Sequence, residues 1–148
     1  KIAPRPGCFE LLEQLKQQGY RCWLLTNADQ AGLQLKLENI DLSPYFEVMI
    51  SSEEIGYSKE FVEFWEILQQ KHDFDPQYAM MIDDTEKVLQ GAEKFGITQL
   101  ITIVQPSSGR AARQAHDLNY PAIQNLTELL PLIETSITIQ KEFNVKTA

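Results

Sequence analysis

Two short apolar runs constrain the fold of this 148-residue chain most, because each ends abruptly in polar or acidic residues. One is LLTN at residues 24–27, and the other is MMIDD at residues 80–84. Buried strands have this form where they emerge into a ligand-binding crevice at the edge of a parallel sheet. The two runs therefore predict strands whose carboxyl ends carry functional side chains.

Apolar periodicity predicts strands that alternate with helices along residues 1–133. Strands are predicted at residues 20–25, 46–50, 78–82 and 100–104. Helices are predicted near residues 9–18, 29–39, 61–68, 88–95 and 110–117, with a short one at 126–130 that Pro131 ends. Short connections between such elements predict an α/β fold, with a parallel sheet covered by helices on both faces. Residues 134–148 show no clear period and are assigned to a tail or an added edge segment.

Composition narrows the classes of partner. The net charge is -8 and the sequence pI is about 4.7, which argue against binding to a nucleic-acid polymer. No apolar run approaches the length of a membrane span, so no membrane partner is expected. Cys8 and Cys22 are too few for a disulfide framework and indicate a reducing compartment. Together these features predict a cytoplasmic protein, and they leave its oligomeric state open.

Five side chains are predicted to meet at one edge of the sheet. Thr26, Asn27, Asp83 and Asp84 follow two of the predicted strands, and the carboxyl ends of parallel strands lie at the same edge. Lys59 enters from the loop after a third strand, close to the start of a helix. A lysine, a hydroxyl–amide pair and two carboxylates are typical of a site that binds a phosphate and a metal ion.

The adjacent carboxylates of Asp83 and Asp84 suit a hard divalent cation. Mg²⁺ is the natural candidate, because it takes one or two carboxylates together with water and substrate phosphate. The alternative is that the pair only caps the helix that follows. Thr26 and Asn27 have the same alternative, since Thr-Asn is also a common helix cap. Lys59 either neutralises charge on a transferring phosphoryl group or is an ordinary surface lysine.

In their order along the chain, three motifs resemble motifs II, III and IV of the haloacid dehalogenase (HAD) superfamily of phosphohydrolases. They are LLTN at 24–27, GYSKE at 56–60 and IDDTE at 82–86, and the resemblance extends from residue 4 to about residue 131. The lysine motif with its following tryptophan, and the segment PSSG at 106–109, are most similar to the GMP/IMP nucleotidase branch. The resemblance implies a Rossmann-like three-layer fold and an Mg²⁺-dependent phosphatase.

The resemblance also implies a role for each site residue. Thr26 would hold the phosphoryl group and Asn27 would support its loop, while Lys59 would bridge the nucleophile and the phosphate. Asp84 would bind Mg²⁺ directly, with Asp83 beside it. The implied reaction is hydrolysis of a small-molecule phosphomonoester, such as a purine nucleoside monophosphate (GMP or IMP), through an aspartyl-phosphate.

The family pattern begins with Asp-x-Asp at the end of a central strand, and this sequence has no match to it. Most of the cap that should follow that strand is missing as well. Loss of a covalent nucleophile commonly lowers turnover on the order of a million-fold, so residues 1–148 alone are expected to be inactive. Without the central strand, the strands on either side of it would keep unpaired edges. We therefore expect the nucleophile and this strand in a segment ahead of Lys1.

Four alternatives accompany the phosphatase hypothesis. Taken at face value, the absent nucleophile indicates a truncated, non-catalytic HAD-like module that binds a partner or ligand. A phosphomutase, or a phosphatase for another small phosphoester, would share the same motifs. A dehalogenase is disfavoured, because the acidic pair at Asp83 and Asp84 favours metal-assisted phosphate chemistry.

Overall fold

The computed structural model describes residues 7–38, 41–104, 119–129 and 131–133. The helix predicted at 110–117, the segment at 106–109 and the C-terminal segment 134–148 lie outside the described residues. No helix in the described ranges is long and apolar enough to cross a membrane.

The four predicted strands and the helices between them occur in the predicted order, and the structure adds a short helix at Ser52–Ile55 and a strand at Ala122–Ile123 that were not predicted. The helices are α1 (Cys8–Gln17), α2 (Gln30–Glu38), α3 (Ser52–Ile55), α4 (Val62–Lys71) and α5 (Glu86–Phe95). The strands are β1 (Trp23–Thr26), β2 (Val48–Ser51), β3 (Met80–Asp83), β4 (Gln99–Ile103) and β5 (Ala122–Ile123). Two short 3₁₀ segments lie at Pro76–Tyr78 and Leu126–Glu128.

All strand pairs are parallel, and among the described residues they form two sheets. One sheet pairs β1 with β2, and the other has the order β3-β4-β5. Thr26 lies opposite Ser51 in the first sheet, and Asp83 lies opposite Thr102 in the second. The division falls between β1 and β3, the two strands that are expected to flank the central strand of the HAD pattern.

Two hydrophobic clusters lie on opposite faces of the strands. Leu100 belongs to the cluster that contains Phe64 and Leu68 of α4, whereas the next residue, Ile101, belongs to the cluster that contains Leu11 of α1. Adjacent residues of a strand point to opposite faces, so β4 has helices on both sides. Phe64 and Leu68 are fully buried, and each such side chain stabilises the fold by about 1.5–3 kcal/mol. The predicted three-layer α/β arrangement is confirmed.

Several element boundaries differ from the predictions. The strand predicted from residue 20 begins only at Trp23, and the strand predicted from residue 46 begins at Val48. Tyr78 lies in a 3₁₀ turn rather than in the next strand, because the side chain of Asp75 caps Gln77 and Pro76 favours a turn. Residues 131–133 are helical, so Pro131 does not end a helix there. Proline is tolerated in a first helical turn, where its missing N–H group has no partner to lose.

Candidate active site

The loop after β1 is held by the end of β2. The backbone N–H of Ala28 donates to Thr26 Oγ1 at 3.0 Å, while Ser51 Oγ donates to the carbonyl of Ala28 at 2.6 Å. Ser51 is fully buried and also caps α3, accepting from the N–H of Glu53 at 3.1 Å. The Glu53 carboxylate accepts in turn from the N–H of Gln30 at 2.8 Å. The loop that follows Thr26 is thus attached to the end of β2 and to α3.

Lys59 reaches across the division between the two sheets. Helix α3 ends at Gly56, whose φ of 95° is left-handed and suits glycine, and the turn that follows brings Lys59 inward. The Lys59 side chain is only 9% exposed. Its Nζ donates to the carbonyl of Leu25 in β1 at 3.1 Å and to Asp83 Oδ2 in β3 at 2.7 Å. The lysine therefore lies between the carboxyl ends of β1 and β3, and it is not a surface side chain.

Both oxygens of Asp83 have a partner. Oδ2 accepts from Lys59, and Oδ1 accepts from the backbone N–H of Thr85 at 2.9 Å, just ahead of α5. The Asp83 side chain is 8% exposed, so this carboxylate depends on its hydrogen bonds. The two interpretations of Asp83, as a helix-start acceptor and as a site residue, are therefore compatible.

Asn27 joins the loop after β1 to the segment at residues 56–61, between α3 and α4, which carries Lys59 and is called the lysine loop below. Its Oδ1 accepts from the backbone N–H of Lys59 at 2.8 Å, and its Nδ2 donates to Glu60 Oε1 at 2.8 Å. Burial of Glu60 opposes its ionisation, but the hydrogen bond from Asn27 and other donors outweigh it, so the pKa of Glu60 lies below its usual value. Glu60 was missed at the sequence level, although its position next to Lys59 was a usable signal.

Asp84 is the better candidate to contact a cation. It is half-buried at the end of β3, and Thr85 Oγ1 donates to its Oδ1 at 3.2 Å. Within the described ranges, no group of three or more His, Cys, Asp or Glu side chains could hold a metal ion. Adjacent carboxylates are the kind of protein ligand that Mg²⁺ takes, together with water and substrate oxygens. Each oxygen of Asp83 already accepts a hydrogen bond, from Lys59 or from Thr85, which favours Asp84 as the candidate.

An open cleft of about 340 Å³ lies away from these residues, beside the amino-terminal ends of β1 and β2. Arg21, Cys22 and Glu47 are among its lining residues, and none of the predicted site residues is. Arg21 there donates to Glu47 at 3.0 Å and to the carbonyl of Asp73 at 2.8 Å, so its guanidinium makes contacts within the fold. The chemistry is therefore expected at the carboxyl ends of the strands.

The family described as haloacid dehalogenase-like hydrolase matches residues 1–102. The chain belongs to this family. Among HAD relatives, the GMP/IMP nucleotidase YrfG of Escherichia coli (strain K12) is 31% identical over 127 residues, which are 86% of this chain and 56% of that protein. Pyrophosphatase PpaX of Bacillus mycoides (strain KBAB4) is 22% identical over 125 residues, which are 84% of this chain and 57% of that protein. The chain thus spans less than two thirds of the length of these relatives.

Solved structures superpose on most of this chain. CbbY from Rhodobacter sphaeroides, solved in complex with phosphate, aligns with a TM-score of 0.69 at 19% identity, over 90% of this chain and 60% of its own. YfnB from Bacillus subtilis, solved bound to magnesium, aligns with a TM-score of 0.67 at 22% identity, over 86% of this chain and 54% of its own. At these identities the likeness establishes the HAD fold.

Proposed function

We propose that the protein carrying this chain is an Mg²⁺-dependent HAD phosphatase acting on purine nucleoside monophosphates such as GMP or IMP. One observation carries the proposal: the Lys59 ammonium lies between the carboxyl ends of β1 and β3, where a transferred phosphoryl group would need a positive charge. The 31% identity to a GMP/IMP nucleotidase supports the choice of substrate.

Each site residue then has a defined task. The Thr26 hydroxyl would donate to a phosphoryl oxygen, and Lys59 would stabilise negative charge on the oxygens that surround the phosphorus. Asp84 would hold Mg²⁺, which when bound neutralises further phosphoryl charge. Asp83 would hold the Lys59 ammonium, and Asn27 would hold the backbone of Lys59.

The nucleophile in this proposal is an aspartate outside the chain. It would be carried by a strand between β1 and β3, so that its carboxylate reaches the phosphorus opposite the leaving oxygen. Attack would form an aspartyl-phosphate and release the nucleoside, and water would then hydrolyse the aspartyl-phosphate to inorganic phosphate. Residues 1–148 supply charge, phosphate contacts and the metal carboxylate for both steps.

Phosphate release by the complete protein tests the proposal. GMP, IMP and pyrophosphate should be compared with and without Mg²⁺, pyrophosphate being included because a pyrophosphatase matches the same region. We expect nucleotide turnover that needs Mg²⁺ and that falls about 10²–10³-fold in Lys59→Ala. Lys71→Ala, which changes an exposed lysine at the end of α4, is the matched control and should keep wild-type turnover. Unchanged turnover in Lys59→Ala would overturn the proposal.

A further inference from the structure

The indole of Trp65 holds the backbone of Lys59 from α4. Trp65 is 1% exposed, and its Nε1–H donates to the carbonyl oxygen of Lys59 at 2.9 Å. A buried indole N–H without an acceptor would cost free energy, so the core placement of Trp65 also fixes the direction of that carbonyl. This tryptophan packs edge-on against Phe64 at a ring distance of 5.1 Å, which further limits its rotation. Core packing is therefore transmitted to the lysine loop.

Gly91 lets the same backbone approach α5. A Cβ at this position would lie 2.5 Å from the carbonyl oxygen of Glu60 and 2.8 Å from that of Lys59. Both distances are too short for real atoms, so any side chain at residue 91 would push the lysine loop away from the helix. Glycine inside a helix costs about 1 kcal/mol relative to alanine. Glycine at residue 91 therefore permits the close approach of the loop, and alanine would prevent it.

Four contacts meet on Lys59 from different elements. Asn27 accepts from its N–H, Trp65 donates to its carbonyl, and its Nζ donates to Leu25 and Asp83. Helix α5 affects Lys59 in two ways. The N–H of Thr85, just ahead of this helix, holds Asp83, and Gly91 within the helix lets the lysine loop approach. A shift of the backbone at Lys59 would therefore move the ammonium relative to both strands. Misplacement of a reacting group by about 1 Å can cost on the order of 100-fold in rate.

We infer that Trp65 and Gly91 are positioning residues for Lys59, an inference that rests on the proposed function for its catalytic consequence. They touch neither substrate nor metal. They set how far the Lys59 ammonium extends between β1 and β3, through the backbone of the lysine loop.

Matched tryptophan variants of the complete protein provide the kinetic test. Trp65→Phe removes the N–H donor and keeps an aromatic ring, and Trp23→Phe makes the same change where the indole donates to Glu47 instead. We expect Trp65→Phe to lower kcat for GMP about tenfold with KM within about twofold, and Trp23→Phe to change neither. In a Lys59→Ala background, Trp65→Phe should cause no further loss of kcat. An equal loss with and without Lys59 would show that Trp65 acts on the fold alone, and would overturn the inference.

Acylation of Lys59 measures its placement without any turnover. The rate of N-acetylation by acetic anhydride, followed by peptide mass spectrometry, should be low in the wild type because Lys59 is 7% exposed. We expect the acetylation rate to rise at least about fivefold in Trp65→Phe and in Gly91→Ala, because the lysine loop would move away from α4 and α5 and expose Lys59. Trp23→Phe and Gln90→Ala, the latter at an exposed neighbour on α5, should leave the rate unchanged.

The two readouts separate the two hypotheses. No nucleotide turnover in the wild type, together with faster acylation in Trp65→Phe, would reject the proposed function and support the placement of Lys59 by Trp65. Turnover in the wild type, with kcat and acylation both unchanged in Trp65→Phe, would reject the inference and keep the function. Trp65→Phe keeps an aromatic ring at this position and decides between these outcomes by itself. The test therefore does not depend on whether Gly91→Ala folds.

Discussion

The ammonium of Lys59 lies 2.7 Å from the carboxylate of Asp83, and both side chains are less than a tenth exposed. Lys59 also donates to the carbonyl of Leu25, so the interaction connects two sheets that share no strand pairing in the described ranges. A buried pair of charges gains from attraction but pays for desolvation, so breaking it costs more than its net contribution suggests. The pair is therefore both a structural link and the centre of the candidate site.

A double-mutant cycle should show this coupling. Lys59→Met and Asp83→Asn should each lower the free energy of unfolding by about 3 kcal/mol, because each leaves a buried polar partner unsatisfied. The double variant should lose clearly less than the sum of the two. Urea unfolding at neutral pH measures all three.

The exposed pair of Arg21 and Glu47 is the control for that cycle. Its side chains are 31% and 49% exposed, and its coupling should not exceed about 1 kcal/mol. Equal coupling energies for the two pairs would contradict the burial argument.

A charge placed at Asn27 should disturb the lysine loop. Asn27→Asp keeps an oxygen that can accept from the N–H of Lys59. It replaces the Nδ2 group, which donates to Glu60 Oε1 at 2.8 Å, with a second carboxylate oxygen that would repel Glu60. The variant should lose about 1–3 kcal/mol of unfolding free energy at neutral pH. Glu60→Gln in the same background supplies a donor again and should restore most of the loss. Failure of this rescue in urea unfolding would mean that Asn27 is not held by Glu60.

The site residues and their supports differ in how far they could be predicted from sequence. Thr26, Asp83 and Asp84 lie at the ends of apolar strands, and parallel strands bring their carboxyl ends together whatever the details of packing. Lys59 was assigned to the site because its motif, GYSKE, lies between the other two motifs along the chain. Its burial was not predictable, because the burial depends on a turn whose geometry Gly56 completes.

The contacts of Trp65 and Gly91 were beyond sequence reasoning for a different reason. The helical spacing of the tryptophan indicates a core position, and Trp65 is 1% exposed, but its N–H has an acceptor only because α4 packs against the lysine loop. A glycine in a helical pattern signals close approach in general, and only the packed structure shows that Lys59 and Glu60 approach it. The first strand was predicted to begin too early, because Tyr20 and Cys22 have side chains typical of a buried strand but lie ahead of the β1–β2 pairing, which begins at Trp23.

Removal of the Ser51 hydroxyl should loosen the loop after β1. Ser51 is fully buried, donates to the carbonyl of Ala28 and accepts from the N–H of Glu53, so Ser51→Ala leaves both backbone groups without this partner. We expect a loss of about 1–3 kcal/mol in the free energy of unfolding, with faster amide exchange in the loop. Ser52→Ala, one residue further along, keeps both hydrogen bonds and should cost less. Equal losses for the two serines in thermal unfolding would contradict this assignment.

Tyr120 should make stability depend on pH in the alkaline range. Its hydroxyl donates to Glu93 Oε1 at 2.7 Å, and burial, together with this bond and the charges of Glu93 and Glu86, raises the pKa of Tyr120 to about 12. An unfolded tyrosine titrates near pH 10, so the stabilisation is complete below about pH 10 and is lost as the pH rises towards 12. Tyr120→Phe should cost about 1 kcal/mol at pH 7, and its deficit relative to the wild type should shrink above pH 10. Urea unfolding from pH 7 to 11 measures the deficit, and Glu93→Gln should reduce the same pH dependence. A constant deficit over this range would show that the hydrogen bond to Glu93 does not form.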